Sequence, residues 1–206
     1  MLSWGGNGDC VAIGTRRRSP REANRKRGVT KGEWLEAGLL TLRDGGSVAE
    51  ITIQGLARSL GIAKAGFYWH FKDRRELLED ILDHWTHEIT EVVTDNVLLR
   101  ELDPRSRLIA AAEMILDHDL GEFDLAIRQW ALRNEAAARA VRKADKLRLD
   151  FIRGTLEELG FEGDEAEMRA MVFVGYNASE SSMFPGVSRR RRRSLIASRI
   201  EMLTRR

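Results

Sequence analysis

Residues 67–77 read FYWHFKDRREL, and they set Phe67, Tyr68, Trp69, His70 and Phe71 directly against Lys72, Arg74 and Arg75. Rings normally sit inside a protein and charges outside. A stretch that mixes them suits a surface that must grip something flat and anionic, and a polynucleotide has both properties. In this stretch the Tyr68 hydroxyl and the His70 ring N–H suit phosphate oxygens. Lys72 and Arg74 stand where the next helix would begin, beside free backbone amides that attract anions. Just upstream, Lys64 has the reach to meet guanine O6 and N7, and the small Ala65 and Gly66 would let the backbone come close to base edges.

Two short helices are needed to present these groups. Thr52 is a candidate N-cap for a helix over 53–60, with Gly61 as the left-handed residue that ends it. A second, very short helix follows from about Ala63 to Trp69. Its spacing turns Ile62, Phe67 and Phe71 inward and Lys64, Ala65, Tyr68 and Trp69 outward. Helix, glycine turn and second helix form the outline of a helix-turn-helix, whose second member lies in the major groove of DNA. An earlier helix with apolar steps at Trp34, Leu35, Leu39 and Leu42 ends at Gly45-Gly46, and Asp73 with Glu76 resembles a capping box for a long helix carrying Leu77, Leu78, Ile81, Leu82, Trp85, Ile89, Val92 and Val93.

The rest of the chain keeps the helical period. Further helices are expected near 104–118, 122–133, 135–160, 164–184 and 190–204, separated by Pro104, Gly121, Gly160 and Pro185-Gly186. No strand alternation of any length interrupts them, so the predicted fold is all-α: an N-terminal three-helix DNA-binding domain over 29–75 and a helical effector and dimerisation domain over 76–206. Residues 1–28, with Arg16-Arg17-Arg18 and Arg25-Lys26-Arg27 and few apolar residues, read as a disordered basic arm.

Composition agrees with this division. The 206 residues are 43% hydrophobic and 32% charged, as in ordinary folded proteins. Net charge is only +2, yet residues 1–74 hold 13 Lys+Arg against 7 Asp+Glu, giving +6, and residues 75–206 hold 21 against 25, giving −4. The basic end is the one that carries the mixed stretch. No apolar run is long enough for a membrane span, and the start lacks the pattern of a signal peptide, so the expected location is cytoplasmic. Cys10, the single cysteine, is read as an incidental free thiol.

Thr52 to Leu82, TIQGLARSLGIAKAGFYWHFKDRRELLEDIL, closely resembles the DNA-binding module of the tetracycline-repressor (TetR-like) transcriptional regulators. Leu56-Ala57, Leu60-Gly61, Tyr68, His70-Phe71, Lys72 and Leu77-Leu78 stand in that family's order and spacing, and with the preceding helix from Lys31 the likeness spans about a quarter of the chain. The resemblance implies DNA contacts from Thr52, Gln54, Lys64, Ala65, Gly66, Tyr68, Trp69, His70, Lys72 and Arg74. It also implies a homodimer on a palindromic operator, acting as a repressor and released by a small-molecule effector. The sequence departs from the family's common pattern at Arg74, Gly55 and Gly66, which bears on base preference rather than on docking.

For the effector domain the residues point less far. Trp85, Met114, His118, Phe123 and Trp130 are the candidate lining of an effector pocket, with plain core as the alternative. Met171, Val174, Gly175, Ala178 and Ser182 on one helix, and Leu195, Ile196, Ile200 and Leu203 on another, offer faces for a four-helix contact between subunits. Packing within one chain is the alternative there. His84 and His87 with Asp80, Asp83 and Glu91 have helical spacing but no complete ligand set, so no metal and no cofactor is expected. The run Arg189 to Arg193 reads as an exposed helix start. A phosphate-cradling loop and a G-x-S-x-G elbow are both missing, so the expected class is a regulator rather than an enzyme, with a helical protein-interaction module as the other reading.

Overall fold

The computed structural model describes residues 28–206. The basic arm and Cys10 therefore lie outside the described residues, apart from Gly28. Among the described residues the regular elements are all helical, and no helix is long and apolar enough to cross a membrane.

Helix α1, Lys31–Arg43, starts with a capping box in which the Thr30 hydroxyl accepts from the Glu33 amide and the Glu33 carboxylate accepts from the Thr30 amide. A single 3-10 turn, Val48–Glu50, leads to α2, Ile53–Leu60. The reader segment, Lys64–Trp69, is a 3-10 helix. Next comes α3, Arg74–Thr86, which runs on through a π-helical stretch, His87–Glu91, into a last turn, Val92–Thr94. The C-terminal half consists of α4, Val97–Glu101; α5, Pro104–Asp117; α6, Leu120–Ala131; α7, Glu135–Glu158; α8, Gly163–Met183; and α9, Arg189–Thr204.

Several of these boundaries follow from local chemistry. The Thr52 hydroxyl accepts from the Gly55 amide at 3.0 Å, and Gly61 takes φ of 72° at the end of α2, as a left-handed cap requires. At Gly55 a Cβ would lie 2.8 Å from that hydroxyl, so the glycine keeps room for the cap. Asp73 caps α3 by accepting from the Arg75 and Glu76 amides. The Glu76 carboxylate reaches one residue further back than a capping box would, to the Lys72 amide at 2.6 Å.

Gly121 does not separate two helices. It is the second residue of α6, and the chain turns at Asp119, whose φ is 52°. The glycine is needed for packing instead: a Cβ there would stand 2.8 Å from the Asn177 carbonyl oxygen of α8. Backbone cannot yield as a side-chain tip does, so Gly121→Ala should push α6 off α8 and cost about 1–3 kcal/mol, read as a lowered melting temperature.

Two apolar clusters hold the molecule. The first joins Trp34, Leu39, Leu56, Phe67, Phe71, Leu77, Ile81 and Trp85 of the N-terminal helices to Ile127 of α6 and to Ala137 and Ala144 of α7. The second gathers Leu108, Ala112, Ile152, Leu156, Phe173, Ile196 and Ile200 from α5, α7, α8 and α9. Leu120 packs against both. Thus α3 is buried against α1 on one side and α7 on the other, and the N-terminal helices rest on the C-terminal half through one continuous core.

Candidate nucleic-acid interface and ligand cavity

Phe67 anchors the reader segment. It is fully buried, with its ring edge-on to Trp34 at 5.4 Å and stacked on Phe71 at 5.0 Å. Removing such a ring from water contributes roughly 1.5–3 kcal/mol, which fixes the roll of this short helix. With Phe67 inside, Tyr68 is 56% and Trp69 is 88% exposed. Lys64 and Ala65 are exposed too, Gly66 partly so, and Lys72 stands exposed before α3. Thr52 and Gln54 are exposed at the start of α2. The outward set thus forms one face over the α2 start, the reader segment and the α3 start.

Two of the expected DNA contacts also bond within the protein. His70 Nε2 lies 2.7 Å from the Val29 carbonyl oxygen, so it donates to that carbonyl and pins the residue before α1 to the end of the reader segment. Arg74 donates from Nε to the Ile51 carbonyl at 2.7 Å and from Nη2 to the Val48 carbonyl at 2.5 Å. That guanidinium clamps the start of α3 onto the turn before α2. Both side chains position the reader. The exposed cation beside Arg74 is Arg75, which the sequence pattern alone does not separate from it.

Gly66 has only the tip of Ile62 near it, 3.5 Å from where a Cβ would sit. The fold therefore has room for a side chain. Gly66→Ala should leave the protein folded, gaining up to about 1 kcal/mol, and should weaken operator binding by about ten-fold where backbone meets base edge. Chemical denaturation and a DNA titration of the same variant separate the two effects.

The C-terminal half holds a partly open cavity of about 50 Å³. Its apolar wall includes Ile115, Leu120, Phe151, Ile152, Phe173 and Val174, and its polar wall Thr90, Thr94, Asp124, Arg148 and Asn177. None of Trp85, Met114, His118, Phe123 and Trp130 lines it. Trp85 and its fully buried ring belong to the first core. Phe123 and Trp130 pack against that core, with the Arg43 guanidinium 5.3 Å over the Phe123 ring, and Met114 packs against the second core. His118 ends α5, where burial pushes its pKa below the ordinary imidazole value. The cavity is lined by a different aromatic pair, Phe151 and Phe173.

Charge is concentrated on one side of the cavity. Asp124, only 2% exposed, accepts from Arg148 Nη1 at 2.6 Å and from Arg128 Nε at 2.7 Å. Arg128 also makes a bidentate pair with Asp145 of α7. Burial works against the Arg128 charge, but Asp145 and Asp124 outweigh it and raise its pKa above the usual guanidinium value. Arg148 donates further from Nε to the Thr90 hydroxyl at 3.1 Å.

His87 Nδ1 bonds the Glu91 carboxylate at 2.9 Å, Lys143 pairs with the same group, and no group of three His, Cys, Asp or Glu that could hold a metal comes together among the described residues. Arg189 pairs with Asp119, Arg193 pairs with Asp117, and Arg192 donates to the Phe184 carbonyl at 2.9 Å. These arginines tie α9 to the end of α5 and to the close of α8, while Arg190 and Arg191 are exposed.

Half of the expected subunit face also turns inward. Val174 and Ala178 line the cavity, and Ile196, Ile200 and Leu203 are buried in the second core of the same chain. Met171, Gly175 and Ser182 remain outside, where Met168, Val172 and Met183 join them on the solvent face of α8.

The sequence model of bacterial regulatory proteins of the tetR family matches residues 46–81, which hold the reader and its supporting helices. Among curated proteins none matches the chain. Among solved structures, a transcriptional regulator from Rhodococcus sp. Rha1 is 17% identical with a TM-score of 0.67, over 85% of this chain and 96% of that one. The Bacillus subtilis regulator FadR, solved with stearoyl-CoA, is 17% identical with a TM-score of 0.64, over 85% of this chain and 98% of that one. AibR, solved with isovaleryl coenzyme A and operator DNA, is 18% identical with a TM-score of 0.61, over 84% of this chain and 97% of that one. At these identities the structures speak for a common fold, and the match at residues 46–81 speaks for the reader. Residues 46–81 thus match the tetR-family model, and the chain as a whole shares the fold of these solved regulators.

Proposed function

We propose that this protein is a homodimeric repressor that binds a palindromic operator and releases it when a small molecule enters the effector half. The observation that carries the reading is the outward face of the reader segment. Lys64, Ala65, Gly66, Tyr68 and Trp69 face solvent on a short helix whose inner side is locked by Phe67, and Lys72 continues that face at the start of α3. In this reading Lys64 meets a base edge, Tyr68, Trp69 and Lys72 hold the sugar-phosphate backbone, and Thr52 and Gln54 reach the same groove from α2. His70 and Arg74 hold the reader in place from behind.

The solvent face of α8 supports the dimer. Met168, Met171, Val172, Gly175 and Met183 recur at helical spacing on the side turned away from the chain's own core, and a Cβ at Gly175 would meet nothing within 4 Å. An apolar stripe with a small residue at its centre suits a close helix crossing with a second copy. The cavity supports the effector. FadR and AibR were each solved with an acyl-CoA, and a mainly apolar wall with one charged side suits a ligand that has an apolar body and a single polar group.

Selection of bound fragments from randomised DNA tests the reading. Enrichment of an inverted repeat is the expected result. A single half-site would leave the reader and remove the dimer, and no enriched sequence at all would remove the DNA-binding role.

A further inference from the structure

Arg148 touches both the cavity and the helix that carries the reader. Its guanidinium lies 5.4 Å over the ring of Trp85, a core residue at the C-terminal end of α3. Its Nε holds the Thr90 hydroxyl in the π-helical stretch that continues α3, and its Nη1 holds Asp124 on α6. No group among the described residues accepts from its Nη2. The side chain is 16% exposed and lines the cavity. A planar cation with a donor to spare, set beside apolar residues, recognises an oxygen that accepts a hydrogen bond.

The charges around it decide which kind of oxygen. Arg128 and Arg148 are matched by Asp124 and Asp145, so the network is already neutral. An incoming carboxylate would leave one negative charge uncompensated in a site where Asp124 is buried, and that is costly. A carbonyl oxygen brings no charge. Size decides what happens to the walls, because even benzene occupies an apolar cavity of about 150 Å³ and this one measures about 50 Å³. A molecule of that bulk is not taken wholly inside without displacing part of the wall.

We propose that Arg148 recognises the neutral carbonyl oxygen of a compact apolar ligand, and that by shifting to meet it the same guanidinium loosens its hold on Thr90 and Trp85 and so moves α3. This deepens the effector reading above and rests on it. The ligand needs no direct contact with the reader half, because the residue that binds it already lies against α3.

Cyclohexanone and cyclohexane, matched in shape and differing in the carbonyl, serve as probes of the full chain, with cyclohexanecarboxylate as the charged comparison and competition measured by ligand-observed NMR. The wild type should prefer the ketone to the hydrocarbon by about ten-fold and should take the carboxylate more weakly than the ketone. Arg148→Met should bind both uncharged probes equally. Thr90→Val, which leaves the Asp124 pair intact, should keep the preference while the ketone no longer alters operator affinity; that variant carries the test if Arg148→Met does not fold. A preference that survives in Arg148→Met, or a wild type that favours the carboxylate, overturns the assignment. The cavity reading is tested separately by Val174→Trp, which should exclude every apolar probe. Cyclohexane bound by the wild type and excluded by that variant, with no gain from the carbonyl, would overturn the role of Arg148 and leave the cavity standing.

Discussion

Gly175→Arg is expected to convert the protein to monomers and to lower operator affinity by about a hundred- to ten-thousand-fold. The cause is geometric. Gly175 sits at the centre of the outward stripe of α8, between Met171 and Met168 on one side and Met183 on the other, with open space above it. An arginine there costs the isolated chain little, because it points into solvent. Across a helix crossing it would hold the two helices apart and place like charges opposite each other. A dimer binds its second half-site from an effective concentration set by the first, and a monomer loses that advantage. Sedimentation and an operator titration on one preparation decide the matter. A variant that stays dimeric places the contact elsewhere, and a monomeric wild type with unchanged operator binding removes the dimer from the mechanism.

Lys64→Ala and Lys72→Ala should then weaken DNA binding in different ways. Both lysines are exposed, but Lys64 opens the reader segment and Lys72 lies outside it, before the Asp73 cap. Loss of a base contact should cost about 1–3 kcal/mol at one position of the site and relax discrimination there. Loss of a phosphate contact should weaken all sequences alike and reduce the salt slope by about 1. Binding measured against a panel of single-base operator variants at several salt concentrations separates the two. Equal effects from both lysines would mean that the reader is rolled differently from the burial of Phe67 and Phe71.

Much of this architecture was legible from local pattern, and the limits have physical reasons. Thr52, Gly61 and Asp73 announce their caps because capping involves residues a few positions apart. The inward turn of Phe67 and Phe71 follows from the same short spacing. Contacts between distant segments leave no such trace. His70 and Arg74 look like phosphate ligands in sequence, and only the fold brings the Val29, Ile51 and Val48 carbonyls within their reach, across separations of 41, 23 and 26 residues. The cavity was hidden for the same reason. Asp124 and Arg148 are 24 residues apart and Thr90 and Arg148 are 58 apart. The aromatic residues that suggested a pocket belong to the first core or pack against it. In α8, periodicity marks two faces, and Val174 and Gly175, adjacent in sequence, belong to different ones.

The continuous core of the reader helices has a consequence for anyone wishing to borrow them. Helix-turn-helix units are attractive cassettes for chimeric switches, and a cut after residue 75 would look natural on the sequence. Here such a graft would leave behind Leu77, Ile81 and Trp85, together with the floor that Ile127, Ala137 and Ala144 supply from far along the chain. A transplantable version has to bring α3 with it and offer a new apolar surface in place of α6 and α7.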